Sequence, residues 1–180
     1  GGCVVAVERP GVTAPATSAY VKHGCKYSGT NPTLYYQIGS TVGSARRTAT
    51  NSGAGRWNAV AVPGTFTAWS SGKPVNVAIT EWSAADTYEA VTSFSCSSGL
   101  YTSNKTTITW NSPSPGGIGS NTTALRMVAT HEFGHAYGLN HMSTTCNGTK
   151  TVMVQGKTKW SCSWGTEPWQ DDINGVDAIY

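Results

Sequence analysis

An α+β domain is the fold class that this sequence predicts, with its strands gathered ahead of its two clearest helices. Three observations lead there. β-rich runs punctuated by Gly and Pro recur between residues 34 and 110, a long helical pattern opens at Asn121 or Thr122, and a short apolar stripe of helical spacing closes residues 168–180. A chain of 180 residues fits one domain and can bury a substantial core.

The elements follow in order. Residues 1–30 read as an arm holding one short strand, Val4 to Val7, before Pro and Gly punctuation. Leu34 to Ile38 is a strand that stops at Gly39. Residues 41–60 have a helical pattern with Ala45, Ala49 and Trp57 as contacts, although Gly53 and Gly55 lower its propensity. Pro63-Gly64 is a turn, and Phe66 to Trp69 and Val75 to Trp82 are strands. Residues 84–100 are looser, 106–110 form a further strand, and 111–120, with two Pro and three Gly, form a loop. In the helix that follows, Leu125, Ala129, Phe133 and Ala136 share one face, while His131 and His135 lie one turn apart on another. Gly138 can end it in the left-handed conformation. In the last helix Pro168 sits in the first turn, and Trp169, Ile173, Val176 and Tyr180 form the stripe.

Composition narrows the function. Charged residues make up 12 % of the chain, against about 25 % in ordinary domains, so Ser, Thr, Asn and Gly must cover the surface. Seven Trp and eight Tyr set it apart from disordered chains. The net charge of +3 is scattered, with Arg46-Arg47 as the one adjacent pair, so no nucleic-acid partner is expected. No apolar run approaches a membrane helix, so no membrane partner is expected either. The opening Gly1-Gly2 reads as a processed mature form. Five Cys without a C-x-x-C pair suit disulfides in an oxidising compartment and a secreted protein. Spacing does not fix the pairing. The preferred bridges are Cys146–Cys162, clipping a short loop, and Cys3–Cys25, pinning the arm, which leaves Cys96 free or paired outside the chain. N-x-[ST] triplets stand at Asn104, Asn121 and Asn147. Gly156-Lys157-Thr158 lacks the first Gly of a phosphate loop, and no G-x-S-x-G elbow is present.

The chemistry concentrates in His131-Glu132-Phe133-Gly134-His135-Ala136-Tyr137-Gly138-Leu139-Asn140-His141, which holds three of the four His of the chain. Two His at i and i+4 on a helix can reach one ion at the ~2.0–2.1 Å Zn–N distance. Gly138 turns the chain so that His141 can return as a third ligand. Three neutral ligands leave a position for water, which marks a catalytic site instead of a closed structural one. Glu132 borders the metal side, where it can take a proton from that water and pass it to a leaving amine. A purely metal-bound surface-binding module would have no need of this carboxylate. A zinc amidase acting on cell wall remains the rival enzyme class.

These eleven residues resemble the extended zinc motif of the metzincin metallopeptidases. Their wording, with Met127-Val128-Ala129-Thr130 before them and Gln170 to Tyr180 downstream, is most similar to the matrixins, the matrix-metalloproteinase-like family. The resemblance is specific over residues 125–141 and 169–180, and looser elsewhere. It implies a metzincin fold: a twisted, mostly parallel sheet with a backing helix and the active-site helix, then a small C-terminal lobe with a Met-turn and a final helix. The upper lobe would span about 1–141 and the lower lobe about 142–180. It implies a secreted, monomeric zinc endopeptidase acting on protein or peptide, which binds extended in the cleft along an edge strand, here placed at 106–110. Met153 is the expected Met-turn residue, in preference to Met142 and to an ordinary core role. Asp171 and Asp172 would tie the last helix to the Met-turn or the N-terminus, a place where acids also suit a helix start.

Several positions depart from the family. Met142 stands where Ser is usual after the third His. Gln155 stands in place of Pro two residues after Met153, so subsite preference does not transfer, and in place of the Tyr that supplies a fifth ligand in astacins. One catalytic zinc is therefore expected. With His23 alone left over, and read as a satisfied His, no second zinc is expected. Structural calcium lacks clustered carboxylates, with backbone carbonyls the remaining route to a site.

Overall fold

The computed structural model describes residues 19–83, 88–112 and 114–180. The arm strand at Val4–Val7, Cys3 and part of the looser 84–100 segment lie outside the described residues.

Alternation makes the sheet. β1 (Thr33–Ile38) buries Leu34 and Tyr36, β3 (Val77–Trp82) buries Val77 and Ile79, and β5 (Leu100–Asn111) buries Tyr101, Thr106, Ile108 and Trp110. With β2 (Thr65–Ala68) and β4 (Ala90–Ser97) they form a five-stranded sheet in the order β2-β1-β3-β5-β4. β2, β1, β3 and β5 run parallel, and β4 runs antiparallel to β5.

Residues 106–110 are therefore not the edge. They are hydrogen-bonded to β3 on one side and to β4 on the other. The edge is β4, inside the stretch that reads as loose. Its outer half is exposed, so the apolar alternation that marks a half-buried strand fades there. A two-residue turn creates it. Ser97 pairs with Leu100, and Ser98 and Gly99 between them take φ of 50° and 77°, the doubly left-handed turn whose twist suits a hairpin.

Two helices cover one face. α1 (Ser44–Asn58) turns Ala49, Gly53, Ala54 and Trp57 inward and leaves Ala45 exposed. Gly53 is there for proximity: a Cβ on it would lie 2.6 Å from Ala129 Cβ and 2.8 Å from Ala129 C. The long helix α2 (Thr122–Tyr137) crosses at this point, and the Trp57 indole donates to Thr130 O at 2.8 Å. Trp57, Phe66, Phe133 and Tyr137 form the aromatic centre of the core. Asn121 caps α2, its Oδ1 accepting from Ala124 N at 2.9 Å.

After α2 come a short helical turn, α3 (Thr158–Ser161), and the final helix, α4 (Gln170–Asp177). Pro168 lies just outside α4, because Asp172 Oδ2 accepts from Trp169 N at 2.8 Å and makes Trp169 the cap.

The disulfides are Cys146–Cys162 and Cys25–Cys96. The expected Cys3–Cys25 bridge is thereby overturned, and Cys96 is not free. Lys26 N donates to Gly99 O at 3.1 Å and Tyr101 N to Lys26 O at 2.9 Å, which sets Cys25 against the β4–β5 hairpin. Pairing across 71 residues is invisible in linear spacing.

Candidate metal centre

α2 carries His131 and His135 one turn apart, and its end supplies the third His. Gly138, at φ 121°, donates to His135 O while Leu139 N donates to Gly134 O, the paired bonds that close a helix through a left-handed residue. A side chain at 138 would meet Cys25 O at 2.8 Å. The segment before β1 pins this turn from outside: His23 N donates to Gly138 O and Asn140 N to Val21 O. Beyond His141, Met142 N donates to Met153 O at 3.1 Å. His141 is thus stationed between two fixed points.

The Nε2 atoms of His131, His135 and His141 lie 3.0–3.1 Å from one another. On two of the rings the far nitrogen has a carbonyl partner: His131 Nδ1 donates to Val152 O at 2.7 Å and His135 Nδ1 to Leu139 O at 2.8 Å. A proton fixed on Nδ1 leaves the neutral ring with a bare lone pair on Nε2. Such contacts between lone pairs are not hydrogen bonds, and they call for a cation. A tetrahedral ion at ~2.0–2.1 Å from each nitrogen would space its ligands about 3.3 Å apart, close to what is found. Burial lowers the pKa of all three rings, that of His135 to about 4, which keeps them neutral and able to bind metal at ordinary pH. Among the described residues no other cluster of His, Cys, Asp and Glu has a metal-binding arrangement. His23 stands apart, its Nε2 shared between Tyr101 Oη and His135 O at 3.0 Å each.

Glu132 is 4 % exposed, and burial raises its carboxyl to about 7. Its Oε2 accepts from the Thr92 hydroxyl at 2.6 Å. Met153 is buried with its sulfur against Gly134, where any Cβ would strike it, so it lies under the helical turn that separates His131 from His135. Asp172 accepts from Thr151 Oγ1 at 2.5 Å and from Val152 N at 2.9 Å, joining α4 to the segment whose Val152 O receives His131. Asp171 Oδ1 accepts from Ala19 N at 3.0 Å, on the N-terminal side.

Two residues went unseen in the sequence. Thr92 sits in the stretch that lacks alternation. Lys159 is 7 % exposed although Lys is almost always at the surface, and its Nζ donates to Val154 O at 3.0 Å. Burial lowers the ammonium to about 8, with Glu132 and Asp172 acting against that shift.

A family model described as matrixin matches residues 69–180, more than half of the chain. The chain is a matrixin. As one it is a zinc metalloendopeptidase with the α+β architecture described above. The part of this matrixin that matches takes in β3, β4, β5 and everything beyond, so the whole metal cluster and Met153 fall inside it. Among solved structures the matrixin is similar to one described as the GM1 bound form of the ECX AB5 holotoxin. The TM-score is 0.55 and the identity 15 %, over 92 % of this chain and 90 % of that one, a likeness of fold alone. Also found is the high choriolytic enzyme 1 of the medaka fish Oryzias latipes, described as a hatching-enzyme zinc protease. It has a TM-score of 0.49 and 13 % identity, over 94 % of this chain and 98 % of that one. No curated protein matches the matrixin chain.

Proposed function

We propose that this matrixin hydrolyses peptide bonds of extracellular proteins with one zinc held by His131, His135 and His141 and with Glu132 as the base. The observation that carries the reading is the convergence of three Nε2 atoms at 3.0–3.1 Å, two of them bare lone pairs on rings whose other nitrogen donates to a carbonyl. Zinc held there by the three His would supply Lewis-acid polarisation of a carbonyl and a water made acidic enough to ionise near pH ~7. Burial raises the Glu132 carboxyl in the metal-free chain, and a cation held by the three His would favour its ionised form, the one that can take a proton from water and deliver it to the leaving amine. Met153 seats the helical turn between the first two His. Asp172 fixes the backbone of 151–152, Asp171 holds the segment at Ala19, and Gly138 makes the bend that returns His141.

The substrate is a protein or peptide, lying extended along β4, the strand next to α2 that is the sheet edge among the described residues. An upper lobe of about 1–141 and a lower lobe of about 142–180 would flank that cleft. Two disulfides support secretion, and no helix of the described residues is long and apolar enough to cross a membrane. The enzyme acts as a monomer, without nucleic acid. Structural calcium would have to rely on backbone carbonyls, since among the described residues the carboxylates form no metal-binding cluster.

The test is digestion of denatured casein by the wild-type chain and by Glu132→Ala, with zinc measured in both and peptidoglycan as a parallel substrate. Near-stoichiometric zinc in both proteins, with casein cleavage lost in Glu132→Ala, is expected. Zinc in both without casein cleavage by either would overturn the endopeptidase reading, and release of peptidoglycan fragments would replace it with a cell-wall amidase.

A further inference from the structure

Thr92 stands on β4 opposite Ile108 of β5, on the side of the strand that faces α2. Its hydroxyl lies 2.6 Å from Glu132 Oε2 and 3.1 Å from Glu132 O. A hydroxyl has one proton, so it serves one acceptor at a time, and an ionised carboxylate at the shorter distance is the stronger. Among the described residues no other side chain hydrogen-bonds this carboxylate. Glu132 is a buried side chain with three rotatable bonds, and the Thr92 hydroxyl fixes one of its two oxygens in space.

We propose that Thr92 is a positioning residue for peptide hydrolysis: its hydroxyl clamps Oε2 of Glu132 and leaves Oε1 to take and pass on the proton. The inference rests on the reading of Glu132 as the base. It adds a geometric link that the zinc motif does not contain. β4 is also the edge on which an extended substrate would lie, so base and scissile bond are referenced to one stretch of backbone. A proton acceptor held in this way needs no reorganisation when the substrate arrives, which is where positioning enters a rate. A Thr that merely fastened α2 to β4 through Glu132 O would act on stability and leave turnover alone.

Thr92→Val removes the hydroxyl and keeps the β-branched shape that suits a strand, whereas Thr92→Ser keeps the hydroxyl. Both are compared with the wild type on a fluorogenic peptide built around a casein site that the wild-type enzyme cleaves. kcat, KM, zinc content and thermal midpoint are measured, with Glu132→Gln alongside. The expected result is a kcat about ten- to a hundredfold lower in Thr92→Val, the range for losing a hydrogen bond to a charged group. KM and zinc content stay as in the wild type, and Thr92→Ser restores most of the rate. An unchanged kcat in Thr92→Val overturns the proposal. So does an equal loss in Thr92→Ser, or a loss that follows zinc content or thermal midpoint. Should Thr92→Val fail to fold, Thr92→Ala is judged by the same criteria. Glu132→Gln separates the two claims: if it keeps full activity, the base assignment itself has failed, whatever Thr92 does.

Discussion

Replacing Gly53 by Ala adds one methyl group to the protein, and the position of that methyl decides its effect. It would lie 2.6 Å from Ala129 Cβ, 2.8 Å from Ala129 C and 2.9 Å from Thr130 N. Two of these three are backbone atoms of α2, which cannot swing aside as a flexible side chain would, so α1 and α2 must separate. Overpacking of this kind costs about 1–3 kcal/mol, with the backbone contacts placing it toward the upper end. Ala in a helix interior gains about 1 kcal/mol over Gly. The net loss is roughly 2 kcal/mol, which for a chain of this size lowers the thermal midpoint by about 4–8 °C. Gly55→Ala makes the same chemical change two residues on, where nothing lies within 4 Å of the new Cβ. It should keep the propensity gain and raise the midpoint by about 2–4 °C. Urea unfolding of both variants, zinc-loaded and with disulfides intact, gives the difference directly. If Gly53→Ala proves as stable as the parent, or if both variants shift alike, the contact between the helices is not what demands Gly at 53.

Two further outcomes follow from burial and covalent links. Burial raises the folded-state pKa of Glu132 from 4.5 to about 7, so in metal-free protein its contribution to stability is fully present below about 4.5 and is lost as pH rises through about 7. Glu132→Gln should therefore stabilise the metal-free chain at pH 8 relative to the wild type, by at most ~3 kcal/mol, and not at pH 4, as urea titrations at the two pH values will tell. In the chain-entropy picture, opening Cys25–Cys96 by a double Ser substitution costs about 4 kcal/mol, and opening Cys146–Cys162 about 3 kcal/mol, the separations being 71 and 16 residues. Peptide mapping under non-reducing conditions must first return the Cys25–Cys96 link, and a Cys3–Cys25 peptide in its place would contradict the fold of the hairpin.

The sequence speaks most clearly where physics is local. His131, Glu132, His135, Gly138 and His141 can be related to one another on paper, because a single helix and its terminating Gly fix their relative positions. The strands with a buried face announce themselves too, Leu34–Ile38 by β-rich residues that stop at Gly39 and Val75–Trp82 by the alternation of Val75, Val77 and Ile79. What stays hidden depends on non-local partners. Gly53 reads as a poor helix former, and its use emerges only beside Ala129. β4 loses its pattern because Ser93 to Ser97 are exposed on both sides of the strand, so the edge is misplaced to 106–110, and Thr92 disappears with it. Cys25 meets Cys96 through a turn whose Ser98-Gly99 signal is present in the sequence, but whose distance from Cys25 along the chain is not. Lys159 runs against the ordinary preference of its residue type, and no linear pattern reveals a buried ammonium.

Among the described residues the outer flank of β4 has no strand beside it. An edge that can hold an extended chain makes no distinction between a peptide to be cut and the same edge on a second molecule. Charges or Pro would suppress such self-association, yet Ala90 to Phe94 carry neither. The irregularity between Phe94 and Cys96 interrupts the regular β4–β5 ladder, which resumes at Cys96 and Ser97, and the bridge to Cys25 fastens that end of the hairpin. Regular backbone is thereby limited to about five residues next to α2, the length of one ordinary strand, so a second copy and a substrate would compete for the same short tract.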